Sequence, residues 1–269
     1  MIDFLINPLV FIFGLIIGSF LNCFVYRLEV NKGFLKGRSF CPVCKHELAW
    51  QDLIPVLSFF LLKGRCRYCK KPISWQYPLV ELATAILFVL VANKQLVVGN
   101  PLGTLSVVNV LFSLIISSFF IVIFIYDLKH YIIPDKVICP AILLTLIYGI
   151  FYSYFMLHAL GFMLNIGVAA IGAATFFLLI HLVSKGQWLG FGDVKLAFLM
   201  GLYLGFPKIL VALFLSFLIG AVVGLALVAQ NKKSLKSEVP FGPFLTLGTF
   251  IALFFGEQLI LWYLNLIMI

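Results

Sequence analysis

The stretch VVNVLFSLIISSFFIVIFIYD, Val107 to Asp127, runs through twenty residues without a charge and stops at an aspartate. At the rise of an α-helix those twenty residues cover about 30 Å, the hydrocarbon thickness of a bilayer. Lipid offers no partner to backbone N–H and C=O groups, so a run of this kind is a membrane-spanning helix that bonds internally. The rest of the chain repeats the pattern. Of its 269 residues 63% are hydrophobic, 11% are charged and 29 are Phe, and the mean hydropathy is +1.15, which excludes a water-soluble domain. In all, apolar runs fall near 5–26, 79–98, 105–126, 137–157, 160–184, 194–207, 208–229 and 240–267. The reading is an all-α polytopic membrane protein with about eight transmembrane helices, the sixth short and interrupted by Gly201 and Gly205.

Segments 27–78, 127–136, 184–195 and 230–239 hold 10, 2, 2 and 3 Lys and Arg, or 17 of 19, leaving only Lys94 and Lys208 elsewhere. Basic residues stay on the cytoplasmic side, so these four segments are expected inside and both termini outside. The first run has Asp3 and no Lys or Arg before it, while basic residues begin at Arg27, which predicts a retained helix rather than a cleaved signal. Topology and anionic membrane lipid account for the net charge of +9, so no nucleic-acid partner is expected.

The largest polar excursion, 27–78, holds Cys41-Pro-Val-Cys44 and Cys66-Arg-Tyr-Cys69, two CxxC knuckles 21 residues apart. Four thiols at this spacing suit a tetrahedral zinc ion, and a reducing cytoplasm argues against two disulfides. Four thiolates close the coordination sphere, so the zinc is expected to be structural and to supply folding free energy to a loop too small for its own core. His46 reads as a solvated neighbour of the first knuckle. Cys23 and Cys139 read as small buried hydrophobes, and His158 and His181 as interhelical or interfacial groups.

Carboxylates at the membrane are costly and mark function by default. Asp135, after Pro134 and before an apolar run, is expected to cap a helix, and Glu81 to favour the dipole of the second span from its first turn. Asp127 ends a helix, where the macrodipole disfavours its charge. Asp193, in Gly190-Phe191-Gly192-Asp193, opens one, where the dipole favours it. That contrast predicts a carboxyl dyad with Asp193 as general base and Asp127 as general acid.

Six blocks are similar to the bacterial type IV prepilin peptidases across essentially the whole chain. They are Gly18-Ser19-Phe20-Leu21-Asn22 with Tyr26-Arg27, the paired knuckles, Ser74 through Glu81, Asp127 through Asp135, Gly190 through Lys195, and Pro240-Phe241-Gly242-Pro243-Phe244. The resemblance implies a GxGD intramembrane aspartyl protease, with Asp127 and Asp193 as its catalytic acids. It would remove the basic leader of type IV prepilins and type II secretion pseudopilins, after a glycine, at the cytoplasmic face of the inner membrane. It also implies S-adenosylmethionine-dependent methylation of the new N-terminal amine in the cysteine-bearing region, with Gly64 at a position implicated in that activity. The residues themselves show no glycine-rich nucleotide loop there. The expected division is 1–26, the first transmembrane helix; 27–78, a cytoplasmic zinc-ribbon-like domain associated with methyl transfer; and 79–269, the protease domain. The alternative use of paired membrane acids is a proton- or ion-coupled transporter, which favours repeated, interrupted spans. No repeated block is seen in the sequence.

Overall fold

The computed structural model describes residues 2–30, 37–98, 104–155, 159–230 and 239–267; His158 lies outside them. The described residues form α1 (Ile2–Glu29), α2 (Leu57–Leu61), α3 (Gln76–Val98), α4 (Thr104–His130), α5 (Asp135–Phe155), α6 (Ala159–Val183), α7 (Phe191–Leu204), α8 (Lys208–Ala229) and α9 (Gly242–Ile267). Pairing of extended backbone is limited, among these residues, to two isolated bridges, Phe40 with Glu47 and Arg65 with Pro72. The protein is an all-α polytopic membrane protein.

Seven of these helices, α1, α3 to α6, α8 and α9, are long and apolar enough to cross a bilayer. The expected sixth span is α7, whose 14 residues reach only about 21 Å. It fails on length but not on position. Gly201 of α7 lies against Ala170 of α6, and Gly205, just past its end, lies against Asn165 near the start of α6. α7 therefore runs antiparallel to α6 over most of that helix, and Leu196, Ala197, Leu199 and Met200 are completely buried.

The chain forms two compact units, Met1–Ile121 and Val122–Ile269, and the boundary falls within α4. In the first unit α1 and α3 pack antiparallel through small residues. A Cβ on Gly14 would lie 2.6 Å from the Ala85 Cα, and one on Gly18 would lie 2.7 Å from the Glu81 Cα. Lipid tails are as apolar as leucine, so helices in a membrane associate through such close packing and through hydrogen bonds. Both are present here. The Asn22 side-chain amide donates to the Tyr77 carbonyl at 3.2 Å and accepts from Gln76 Nε2 at 3.3 Å. Farther along, Gln95 Nε2 donates to the Ser113 hydroxyl at 3.0 Å, joining α3 to α4.

The second unit reverses the usual amphipathic pattern. On α5 the buried stripe is Val137, Ala141, Thr145, Gly149 and Ser153, at four-residue spacing, while Leu143, Ile147 and Ile150 point outward. Small residues face protein and large apolar ones face lipid. Gly248 of α9 packs on Ala212 and Ser216 of α8, and Lys208 pairs with Glu257 at 2.7 Å along the same antiparallel contact. Phe177 of α6 and Phe217 of α8 stack near Phe241, with ring centroids 5.9 Å apart for Phe177 and Phe217 and 5.0 Å for Phe217 and Phe241. This aromatic cluster seats the start of α9.

Candidate functional site

Asp127 lies in the last turn of α4, which continues to His130, one turn beyond the expected end. Its carbonyl accepts the Tyr131 N–H at 2.9 Å, with Tyr131 at a φ of 59°, and the chain then turns through Pro134 into α5. Its carboxylate is buried and accepts the Gly242 N–H at 3.0 Å, a contact spanning 115 residues. Only glycine fits opposite, because a Cβ on Gly242 would lie 2.6 Å from Asp127 Oδ2. The block Pro240 to Phe244 carried the family resemblance but no assigned role, and nothing in its composition pointed to an amide donor for an acid.

Asp193 is the third residue of α7 and is also buried. Its carboxylate reaches back to the Gly190 N–H at 3.0 Å while its own N–H donates to the Gly190 carbonyl at 3.1 Å, so it closes the helix start on itself. Gly192 lies against Ile133, which would meet a Cβ there at 3.0 Å, and the same Ile133 side chain lies beside Gly242. Ile133 thus lies against both Gly192, next to Asp193, and Gly242, which donates to Asp127. Asp127 and Asp193 lie within electrostatic reach of each other. The helix ends match the sequence reading, but both carboxyls are buried, so the helix dipoles are not alone in deciding which is ionised.

The other acids differ from expectation. Asp135 does not cap α5 with its side chain; it is the first residue of that helix, and its carboxylate pairs with Lys195 Nζ at 2.5 Å. A charged partner two helices away outcompetes the local amides, and the pair ties the start of α5 to the first turn of α7. His181 on α6 joins through Nδ1 to the Leu189 carbonyl at 2.8 Å and lies beside Phe191, holding the segment that enters α7. Glu81 is the sixth residue of α3 and not in its first turn as expected; instead Oε2 accepts the Val56 N–H at 2.7 Å, fastening the cysteine-bearing segment to α3. Cys139 is exposed on α5 and Cys23 is partly exposed, so neither is a buried hydrophobe as expected.

Cys41, Cys44, Cys66 and Cys69 come together, all four Sγ atoms lying within 4.8 Å of one another. Cys41 Sγ and Cys69 Sγ are 3.9 Å apart. Four sulfurs at about 2.3 Å from one tetrahedral ion would be about 3.8 Å apart, so the donor set fits zinc. His46 is exposed and contributes no ligand atom to the group; its ring stacks on Tyr68 with centroids 3.7 Å apart.

The two knuckles repeat one another at an offset of 25 residues, a duplication the sequence reading missed. Cys41 N–H donates to the His46 carbonyl and Cys66 N–H to that of Lys71, both at 2.9 Å. Leu48 N–H donates to the Ser39 carbonyl and Ile73 N–H to that of Gly64, both at 2.8 Å. Lys45 and Lys70 take the same left-handed turn at φ of 60° and 58°. Only the cysteines, the lysines after them and the turn geometry are shared, which is too little to stand out as a repeat. Gly64, at a φ of 68°, backs the Phe59 ring, which a Cβ would approach to 3.2 Å.

Asp52 joins the halves. Its carboxylate accepts from Arg67 Nε at 2.7 Å, from the Ala49 N–H at 3.2 Å and from the Tyr68 hydroxyl at 3.2 Å. Burial opposes its charge, but the Arg67, Ala49 and Tyr68 hydrogen bonds outweigh it and hold the carboxyl below the usual carboxylate range. Burial also raises the Cys41 thiol, yet the Cys44 and Val43 amides and the neighbouring thiols bring it down to about 7. A thiol poised this way is ready to bind metal as thiolate.

The chain matches two family models, the bacterial peptidase A24 N-terminal domain over residues 12–95 and the type IV leader peptidase family over residues 114–225. It is 32% identical to a prepilin leader peptidase/N-methyltransferase of Aeromonas hydrophila, covering 96% of this chain and 93% of that one. Proteins of the same name from Legionella pneumophila and Bacillus subtilis (strain 168) are each 30% identical, over 94% and 96% of this chain and 93% and 98% of theirs. No solved structure matches the chain.

Proposed function

The chain belongs to the type IV leader peptidase family, and from that membership we propose that it cleaves the leader of type IV prepilins and methylates the N-terminus so exposed. The observation that carries the peptidase reading is the pairing of Asp127 and Asp193. These are two buried acids at the ends of different helices, each held by one glycine amide and each within electrostatic reach of the other. Like charges so placed do not both ionise, so one carboxylate takes a proton from water while its protonated partner donates to the scissile carbonyl. Water oxygen bonds to the carbonyl carbon, the tetrahedral intermediate passes a proton to the departing nitrogen, and the C–N bond breaks. Asp193 is assigned as the base and Asp127 as the acid. Each keeps one oxygen on a backbone N–H and the other free for water or substrate.

The 17 to 2 division of basic residues supports cytoplasmic placement of the tetracysteine segment and of the ends of α4 and α7 that carry the acids. A prepilin or a type II secretion pseudopilin, with its basic leader in the cytoplasm and an apolar helix in the bilayer, would present its cleavage point at that level of the inner membrane. Zinc on Cys41, Cys44, Cys66 and Cys69 is assigned a structural role, tying the two knuckles together. S-adenosylmethionine is the methyl donor, and the first unit is the region assigned to use it.

The test is direct. Purified protein in detergent is mixed with a leader-bearing prepilin and S-adenosylmethionine, and the products are weighed. Loss of the leader mass and gain of one methyl on the mature chain are expected. A substrate that stays intact rejects the peptidase reading, and a mature chain without the methyl mass rejects the transferase reading.

A further inference from the structure

The first unit contains a cavity of about 350 Å³ walled by α1, α3 and the knuckle-bearing segment, with the knuckle cysteines Cys41 and Cys66 in its lining. Ser19, Cys23 and Tyr26 of α1, Phe59 of α2, and Tyr77 and Glu81 of α3 line it. Its walls are mostly apolar with a few converging polar groups, the pattern of a small-molecule site, and its volume falls at the low end of that class. Two carboxylates line it, Asp52, which pairs with Arg67, and Glu81. Glu81 is 7% exposed and is held by the Val56 N–H; Arg27, Arg38, Arg67 and Lys71 also line the cavity, but among the described residues none of them pairs with Glu81. An acid set in an apolar wall without a counter-ion is costly unless a cationic ligand supplies the charge.

We propose that this cavity binds S-adenosylmethionine, a sulfonium nucleoside, and that Glu81 is the carboxylate facing the reaction centre. The proposal rests on the N-methyltransferase reading and assigns that reaction a site. The chemistry brings two positive groups together, the sulfonium and the ammonium of the new N-terminus, and Glu81 is the negative group between them. The ammonium gives a proton to Glu81. The freed lone pair then attacks the sulfonium methyl; the N–C bond forms as the S–C bond breaks, and sulfur keeps that pair as a thioether. The product leaves as a methylated ammonium, and Glu81 releases its proton to solvent. Tyr26, Tyr77 and Phe59 supply the flat surfaces on which an adenine ring packs.

Cys23 gives a readout that needs no mutation. It lines the cavity and is partly exposed, while Cys139 is exposed on α5 and serves as an internal reference. In the full-length, zinc-loaded protein, saturating S-adenosylmethionine is expected to slow maleimide alkylation of Cys23 at least about fivefold and leave Cys139 unchanged, as occlusion of a lining residue requires. Glu81→Gln is expected to lower methylation at least about tenfold with cleavage and zinc content unchanged, and Glu81→Asp to recover part of it. A wild type that methylates while Cys23 is unprotected, or in which Cys23 never reacts, overturns the cavity assignment alone. A wild type that cleaves but neither methylates nor shows protection overturns the transferase reading and the cavity with it. Should Glu81→Gln lose zinc or cleavage, protection of Cys23 in the wild type decides.

Discussion

The tetracysteine segment and the aspartate site solve the same problem, holding charged chemistry at a membrane, in opposite ways. All four cysteines fall between residues 41 and 69, and short local bonds set their geometry, repeated from one knuckle to the next. The aspartate site draws on positions 127, 193 and 242, each at the end of a different helix. Contiguous sites can be read from spacing. Dispersed ones depend on helix ends arriving at one place, and a single glycine can decide whether they fit.

The contrast breaks most sharply at the acids. Asp127→Asn or Asp193→Asn should lower leader cleavage by at least about 10³-fold while leaving zinc content and methylation of an already matured pilin intact. Loss of methylation as well would mean that the two chemistries share a centre. Cys41→Ser with Cys66→Ser should weaken zinc binding by about 10²-fold or more and abolish methylation, with cleavage of detergent-solubilised prepilin still measurable. Cleavage that vanishes with the metal would join the two regions functionally.

Gly242→Ala tests the dispersed arrangement at its tightest point. Its Cβ would crowd Asp127 Oδ2, so cleavage should drop by about 10²-fold, while the thermal stability of the protein changes little. Normal turnover would show that the amide contact is dispensable.

Asp52→Asn tests the contiguous site, with an expected loss of about tenfold in zinc affinity. The folded Asp52 carboxyl lies below its ordinary range, so its contribution is fully present above the unfolded pKa of about 3.9 and fades only below it. The stability difference between wild type and Asp52→Asn should therefore stay constant from about pH 8 to pH 5; a difference that collapses inside that window contradicts the assignment. Smallest of all, Lys195→Met should cost cleavage only about threefold, because its ion pair with Asp135 is partly exposed and solvent screens it.

Most of the helices were legible because lipid imposes one rule on every span: about twenty apolar residues without a charge. The same rule misjudged α7. Its environment is protein rather than lipid, so it needs neither the length nor the uniform hydrophobicity of its neighbours. The cysteine cluster was legible from two CxxC pairs, but the duplication beneath it was hidden because backbone bonds, which any side chain permits, carry it. Asp135 looked like a cap since capping is local, and its true partner Lys195 is 60 residues away. Gly242 carried no chemical signal at all. What it contributes is an N–H and the absence of a side chain, neither of which distinguishes it from the other 20 glycines.

The hydrogen bond from Gly242 to Asp127 has a consequence for the order in which the protein is made. Asp127 and Asp193 leave the ribosome long before Gly242, which begins the last helix. During that interval the first acid lacks its amide donor, and α7, only 14 residues long, packs against α6, which is already made. The nascent chain thus holds both acids before the Gly242 contact exists. Synthesis of α9 is the step that completes it.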